Sequence, residues 1–393
     1  MTRYPEKDVA ITGIGQSEVA RASSKSALRL TLDACRQAIK DAGLTPAAID
    51  GIASYPGVMD NGNGFSPTGL HDVRLALGLK PRWYAATAMD SAGQMSALFA
   101  AIHALAAGVA RHVLVFRATH EGTARRRRRD ALSWGGSADR VSGMWQWTVP
   151  FGALSPAPWY ACFAQRYRHQ HGLTDEQLGA VAVNGRRMAA LNPAAVYRDP
   201  LTLEDYLASR LIASPLRLYD CDVPVDGATA FVLSHRHAWG DAATPPLRIE
   251  STGHAFDEGG LRQPTDLTSF GAEAVGRMLW SRTDLRPEHI DVAQIYDGFS
   301  ILTLHWLEAL GFCAKGEAGR FVEGGERIGL GGVLPMNTSG GQLSAGRLHG
   351  FGHIHEACLQ LRQRAGQRQV PGAKTALACA GAYGLGSMIL IKE

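Results

Sequence analysis

The feature that most constrains this chain is a repeat. Residues 44–55 read L-T-P-A-A-I-D-G-I-A-S-Y, and residues 285–296 read L-R-P-E-H-I-D-V-A-Q-I-Y. Ile49 and Ile290 are 241 positions apart, and so are Tyr55 and Tyr296. A segment of helical spacing precedes each copy. Before the first it is 23–42, with Leu28, Leu32, Cys35 and Ile39 on one face and Gly43 where a helix C-cap glycine belongs; before the second it is 272–280. A duplicated helix–loop–strand unit implies two similar α/β halves packed against each other. At 393 residues the chain is long enough for two domain-sized cores or one large fused core.

The rest of the pattern fits around the repeat. Short apolar runs at 8–13, 83–88, 113–116, 229–233, 247–253, 292–295, 376–380 and 387–391 predict strands. The Ala-rich segment 94–107 predicts a helix buried on several sides. The alternation favours right-handed crossovers and a sheet covered on both faces. Between about 120 and 215 the rhythm breaks. An unbroken basic run at 125–129 leads into a Gly-, Trp- and Pro-rich stretch, then helical segments around 161–171, 174–191 and 203–211. Asp175 and Glu176 suit a helix start after Thr174. This region reads as an insertion carried by the first half, so the halves are expected at 1–245 and 246–393.

Composition removes several function classes. A net charge of +4 is too small to imply a nucleic-acid partner. The 125–129 run lacks the interleaved aromatics of a nucleic-acid site; it reads as a solvated loop, or as a contact for phosphates or an acidic partner. The six cysteines include no C-x-x-C pair, which argues against a zinc site or a disulfide framework and fits a reducing cytoplasm. The first residues lack the apolar core of a signal peptide, and no apolar run suggests a membrane span.

The second copy ends on Tyr296-Asp297-Gly298-Phe299, and a helical pattern follows at once through Ile301, Leu304, Leu307 and Leu310. A polar cluster where a strand gives way to a helix is a common place for an active site. Further on, residues 337–341 read N-T-S-G-G, a turn whose backbone a ligand can approach closely. Ser344, Gly346, Arg347 and Gly350 follow, and residues 379–384 read C-A-G-A-Y-G.

These three segments, in this order, resemble the motifs of the thiolase superfamily, and Y-D-G-F resembles its aldolase-like branch. The resemblance implies a layered αβαβα thiolase-like α/β fold with two duplicated halves and an inserted loop domain. It also implies a homodimer and an acyl-CoA substrate, with coenzyme A entering only as part of that substrate and no cofactor or metal held by the chain. The thiolase nucleophile is missing. The position that should hold its cysteine is Asp90, in Asp90-Ser91-Ala92-Gly93, and the expected histidine is Arg347. A carboxylate does not replace a thiolate in acyl transfer. A retro-aldol cleavage of a β-hydroxyacyl-CoA needs no covalent cysteine, only a base, a proton donor and stabilisation of a thioester enolate. The aldolase-like relatives carry out that reaction on sterol side-chain thioesters, with a partner containing an OB fold and a zinc ribbon. Unusual acyl transfer and a non-catalytic acyl-CoA-binding subunit are the alternatives.

The resemblance assigns acid–base work to Tyr296. Arg347 stands where a second tyrosine is expected, and it is a candidate for favouring the Tyr296 phenolate. His349 is the candidate second proton carrier, against a structural role in a Gly-rich loop. Cys379 occupies a thiolase catalytic position, against a small buried residue of the fold. Substrate contacts are expected at Ser339, Gly340, Gly384 and Asp90, the last also suited to capping the helix that follows. His353 and His355, two apart on the next helix, face different ways and make no metal pair.

Overall fold

A computed structural model describes residues 4–59, 62–88, 93–127, 141, 143–256, 266–269, 271–381 and 384–392. Asp90 therefore lies outside the described residues, as does the end of the 125–129 basic run. The first half runs β1 (Val9–Gln16), α1 (Ala27–Asp41), β2 (Gly51–Ser54), α2 (Leu70–Leu77), β3 (Trp83–Ala86), α3 (Ser96–Ala106) and β4 (His112–His120). The Ser26 side chain accepts the Arg29 N–H at the start of α1, and Gly43 takes a φ of 71° just past its end. Next come α4 (Glu121–Arg127), α5 (Pro156–His171), α6 (Asp175–Ala190), α7 (Leu203–Ala208) and a small hairpin of β5 (Leu211–Ala213) and β6 (Leu216–Arg217). The chain then returns through β7 (Asp226–His235).

The second half is β8 (Leu247–Phe256), α8 (Ala272–Trp280), β9 (Val292–Gln294), α9 (Ser300–Ala309), α10 (Ala318–Val322), α11 (Phe351–Leu361), β10 (Thr375–Ala380) and β11 (Gly384–Ile391). The large sheet has the order β3-β2-β4-β7-β1-β8-β11-β10-β9. Its middle seam is thin: β1 and β8 pair only at Ala10 with Arg248 and at Ile11 with Leu247. Outward from that seam the two sides match. β1-β7-β4-β2 on one side and β8-β11-β10-β9 on the other share one sequence of pairings: antiparallel, antiparallel, parallel. The repeat seen in the sequence falls on β2 and β9, each introduced by a one-turn helix, Pro46–Ala48 and Pro287–His289. Tyr55 and Tyr296 therefore leave the same end of equivalent strands.

Alternation along the strands builds the layers. In the first half Ile52, Leu114, Phe116 and Val232 pack with Leu30, Cys35 and Ile39 of α1. The opposite-facing Val113, Val115, Phe231 and Leu233 join a larger core that runs through both halves. Helix α11 bridges them, packing on β9, β10 and β11 of its own half and on β1 and β7 of the other. Helix α8 covers β8 and β11.

Two details differ from the sequence reading. The helix expected over 203–211 stops at Ala208, and Leu211 pairs with Arg217 across a turn containing Pro215; proline cannot continue a helix, and the hairpin takes over the backbone hydrogen bonds. The helix expected from Gln94 opens with a tight turn, Gly93–Met95, with Gly93 in the left-handed region at φ 55°.

Candidate active site

The site forms where β9 ends. Asn337 fixes that end from the side: its Oδ1 accepts the Ile295 N–H at 2.7 Å and its Nδ2 donates to the Ile295 carbonyl at 2.9 Å. Thr338 anchors the same loop from below. It donates to Glu356 Oε1 at 2.8 Å and accepts from Gln294 and Gln360, both at 3.0 Å. Arg368 grips Glu356 with two hydrogen bonds of 2.9 and 3.0 Å. These groups are buried and linked by several shared hydrogen bonds, so the network holds the loop in one arrangement.

Asp297 turns inward next to Tyr296. Its carboxylate accepts the backbone N–H of Gln342 at 2.9 Å, and His353 Nε2 lies 3.1 Å away. Gly341 makes this approach possible, since a Cβ there would overlap Asp297 Oδ2, and its φ of 60° suits glycine. Gly340 has a different reason to lack a side chain. A Cβ would collide with Ala189 of α6, so its close approach is to the inserted helix.

Tyr296 is buried, with 6% of its surface exposed. Its hydroxyl accepts from Gln94 Nε2 at 3.1 Å and its backbone N–H points at Cys379 Sγ, 3.3 Å away. Burial raises its pKa, and the nearby Asp222 raises it further; Gln342 and Arg347 pull the other way without prevailing. Arg347 therefore acts in the expected direction and is outweighed. The reason is its own pairing: it reaches Glu121 through two hydrogen bonds, 2.8 and 3.1 Å, and Asp222 through a third of 2.8 Å. A cation already shared by two carboxylates has little field left for a phenolate. Tyr296 is a phenol at neutral pH.

Asp222 is the least expected member. Burial pushes its carboxyl up to about 6 against the pull of Arg347. Its backbone N–H donates to the Gly298 carbonyl at 3.2 Å, which ties the strand leading into β7 to the Y-D-G-F turn. In the sequence, Asp220-Cys221-Asp222 reads only as an approach to β7. Its place beside Arg347, 125 residues on, has no signature in spacing.

His349 sits in the left-handed region at φ 50°, buried against Phe65. Its Nδ1 is 2.9 Å from a guanidinium nitrogen of the buried Arg117. A guanidinium only donates, so Nδ1 accepts and Nε2 carries the proton. Burial, Arg117 and Arg347 all push the imidazole pKa well down. With its lone pair engaged and its cationic form disfavoured, His349 suits a fixed donor, not the proton carrier expected of it. Cys379 is likewise muted: burial raises its thiol pKa, and the sulfur accepts the Tyr296 N–H.

Ser339 lies away from this cluster. With Gly341, Gln342, His353, Glu356 and Arg368 it lines a cavity of about 120 Å³, which Tyr296, Arg347 and Cys379 do not border. Gly384, at the head of β11, packs its carbonyl into the space left by the missing side chains of Gly93 and Gly381. From the insertion, Tyr160 of α5 stacks on Phe299 at 4.8 Å and closes the outer side of the Y-D-G-F turn. Tyr55, the repeat partner of Tyr296, lies with Tyr296 in the field of Arg117.

Comparisons with known proteins place the chain in a family. Residues 253–391 match the family model described as thiolase C-terminal domain-like. The chain is 35% identical to the steroid side-chain-cleaving aldolase of Thermomonospora curvata, over 90% of each chain. It is also 35% identical to the 17-hydroxy-3-oxo-4-pregnene-20-carboxyl-CoA lyase of Mycobacterium tuberculosis, over 90% of this chain and 91% of that one. The solved Ltp2-ChsH2(DUF35) aldolase superposes with a TM-score of 0.86 at 34% identity, covering 98% of both chains. The fold is thus thiolase-like, and the chain belongs to the thiolase superfamily, in the family that contains these carbon–carbon-cleaving aldolases.

Proposed function

We infer that this protein is a CoA-thioester aldolase: a lyase that splits a β-hydroxyacyl-CoA by a retro-aldol reaction into a ketone or aldehyde and a shorter acyl-CoA. The observation that carries this reading is the placement of two side chains. The one residue at a thiolase catalytic position, Cys379, is buried with its sulfur accepting the Tyr296 N–H, while the Tyr296 hydroxyl beside it meets the Gln94 amide. A thiol in that state is no acyl carrier; a positioned phenol is a proton donor.

The chemistry follows from the parts. Loss of the β-hydroxyl proton lets the bond between the α- and β-carbons break, with its electrons passing into a thioester enolate. Tyr296 protonates the α-carbon, and the Gln94 amide supports the oxygen left behind. His349, fixed as a donor by Arg117, adds a preorganised dipole near the site. Coenzyme A enters as part of the substrate, and the chain needs no other cofactor.

The two relatives, a steroid side-chain-cleaving aldolase and a pregnene-carboxyl-CoA lyase, favour a bulky steroid-like acyl group, such as a sterol or bile-acid side chain. The superposed aldolase pairs two components, Ltp2 and ChsH2, which supports a second protein here too; we propose a partner with an OB fold and a zinc ribbon that completes the acyl-CoA pocket. We also propose a homodimer formed through the first half. The sheet ends on β9, which the 335–337 segment covers through the Ala293–Met336 bridge, and on β3, whose exposed Tyr84 lies on an edge that no described strand pairs. A cytoplasmic site of action fits cysteines that form no disulfide among the described residues.

The test is a product assay on a steroid-type β-hydroxyacyl-CoA bearing a tertiary alcohol, with and without the OB-fold partner. A ketone and a short acyl-CoA should appear, and Tyr296→Phe should reduce their formation about a hundred- to ten-thousand-fold. Ligand binding without turnover under all these conditions would instead indicate a binding subunit.

A further inference from the structure

The cleavage needs a base for the β-hydroxyl, and Tyr296, held as a phenol, is poorly suited to that half of the reaction. The groups around Arg347 offer another candidate. Arg347 is gripped by Glu121 through two hydrogen bonds and reaches Asp222 Oδ1 with a single one at 2.8 Å. Among the described residues no hydrogen bond reaches the other oxygen of Asp222, and its side chain keeps 8% of its surface exposed. Asp222 is also fixed beside the phenol. Its N–H donates to the Gly298 carbonyl, and Gly298 packs closely on the hydroxyl end of the Tyr296 ring: a Cβ on Gly298 would sit 3.2 Å from the Tyr296 hydroxyl. The backbone of Asp222 and the ring of Tyr296 thus meet at one glycine, with the Asp222 carboxylate held by Arg347 and within electrostatic reach of the phenol.

Building on the lyase reading, we propose that Asp222 is the base that takes the β-hydroxyl proton, while Tyr296 is the acid that protonates the α-carbon. The protons balance. Asp222 Oδ2 removes the hydroxyl proton, the β-carbon becomes a carbonyl as the carbon–carbon bond breaks, and the electron pair moves to the thioester enolate. Tyr296 gives its proton to the α-carbon and is left as a phenolate. Asp222 then releases its proton to solvent and the Tyr296 phenolate takes one up, so that both groups regain their starting states.

The surroundings set the two apart as an acid–base pair requires. Asp222 faces Arg347, Glu121, Arg125 and Asp297, and burial brings its carboxyl up to about 6, ionised at neutral pH yet basic enough to accept a proton. The arginine at 347 thereby gains a role: it keeps a buried carboxylate charged and aims its free oxygen.

The experiment is the pH dependence of kcat/KM for cleavage of the tertiary β-hydroxyacyl-CoA by the full protein with its partner. Wild type should lose activity below about pH 6. Asp222→Asn, nearly isosteric and still able to accept from Arg347, should be slower by about a hundred- to ten-thousand-fold and should lose that acid limb. Glu121→Gln removes a neighbouring negative charge that raises the Asp222 pKa, so its acid limb should move to lower pH while persisting. Thermal unfolding of each variant reports its folding. A folded Asp222→Asn enzyme that keeps near-wild-type rates and its acid limb overturns the inference and leaves the lyase reading intact. A wild-type protein that cleaves nothing overturns the lyase reading and this inference with it.

Discussion

At the scale of single residues, the site is defined by which groups keep their protons. Tyr296 and Cys379 touch through a backbone hydrogen bond, and burial holds both in the neutral form. Their substitutions should separate cleanly. Tyr296→Phe removes the proposed proton donor and should slow cleavage about a hundred- to ten-thousand-fold, whereas Cys379→Ala should keep most of the activity and lose only modest stability from a small cavity. The check is kcat/KM of each variant beside its thermal midpoint; a Cys379→Ala loss as deep as that of Tyr296→Phe would contradict the assignment. Tyr296 is legible in the sequence because its motif is local. Arg117, Glu121 and Asp222 are not, because they meet Arg347 and His349 from 125 to 232 residues away, and a single sequence carries no signal of such meetings. The pull expected of Arg347 on Tyr296 acts in the expected direction and is outweighed; its charge is visible in the sequence, its two carboxylate partners are not.

At the scale of elements, the N-T-S-G-G loop carries the most constraint. Asn337 clamps β9, Thr338 sits on the Glu356–Arg368 pair, and Gly341 makes room for Asp297. Gly341→Ala places a side chain in the left-handed region, costing about 1–3 kcal/mol before any clash, and it also pushes on Asp297. It should lower both the thermal midpoint and kcat. A contrasting change lies in the insertion. The Thr174 hydroxyl accepts the Gln177 N–H in a capping box at the start of α6, so Thr174→Ala should cost about 1 kcal/mol of stability and leave kcat unchanged. Denaturation midpoints with steady-state rates test both; a stable, fully active Gly341→Ala would show that the Asp297 contact matters little. Sequence spacing locates most of these elements, since strands and capped helices announce themselves locally. It misses the end of α7, where Pro215 and the β5–β6 hairpin override helical spacing, and it does not show that Gly340 makes room for Ala189.

At the scale of the whole molecule, the repeat of the sequence becomes a near-symmetry of the sheet, with matching pairings on either side of the β1–β8 seam and with Tyr55 and Tyr296 at equivalent strand ends. The second half carries the Y-D-G-F turn at its strand end; the first contributes Arg117 and Glu121 to the same cluster from β4 and α4. The edge of β3, which no described strand pairs, is where a second copy should bind. Tyr84→Lys should shift the mass measured by light scattering from dimer to monomer, and an unchanged mass would move the interface elsewhere. The most direct measurement of the central claim is cleavage in heavy water of a β-hydroxyacyl-CoA with a tertiary alcohol, with the partner present and free coenzyme A rigorously removed, the products read by mass spectrometry. A retro-aldol lyase gives equal amounts of ketone and short acyl-CoA, the latter carrying one deuterium on its α-carbon. No cleavage of this substrate, together with coenzyme A-dependent cleavage of a β-ketoacyl-CoA that leaves the larger fragment as a new thioester, would show acyl transfer and contradict the lyase assignment.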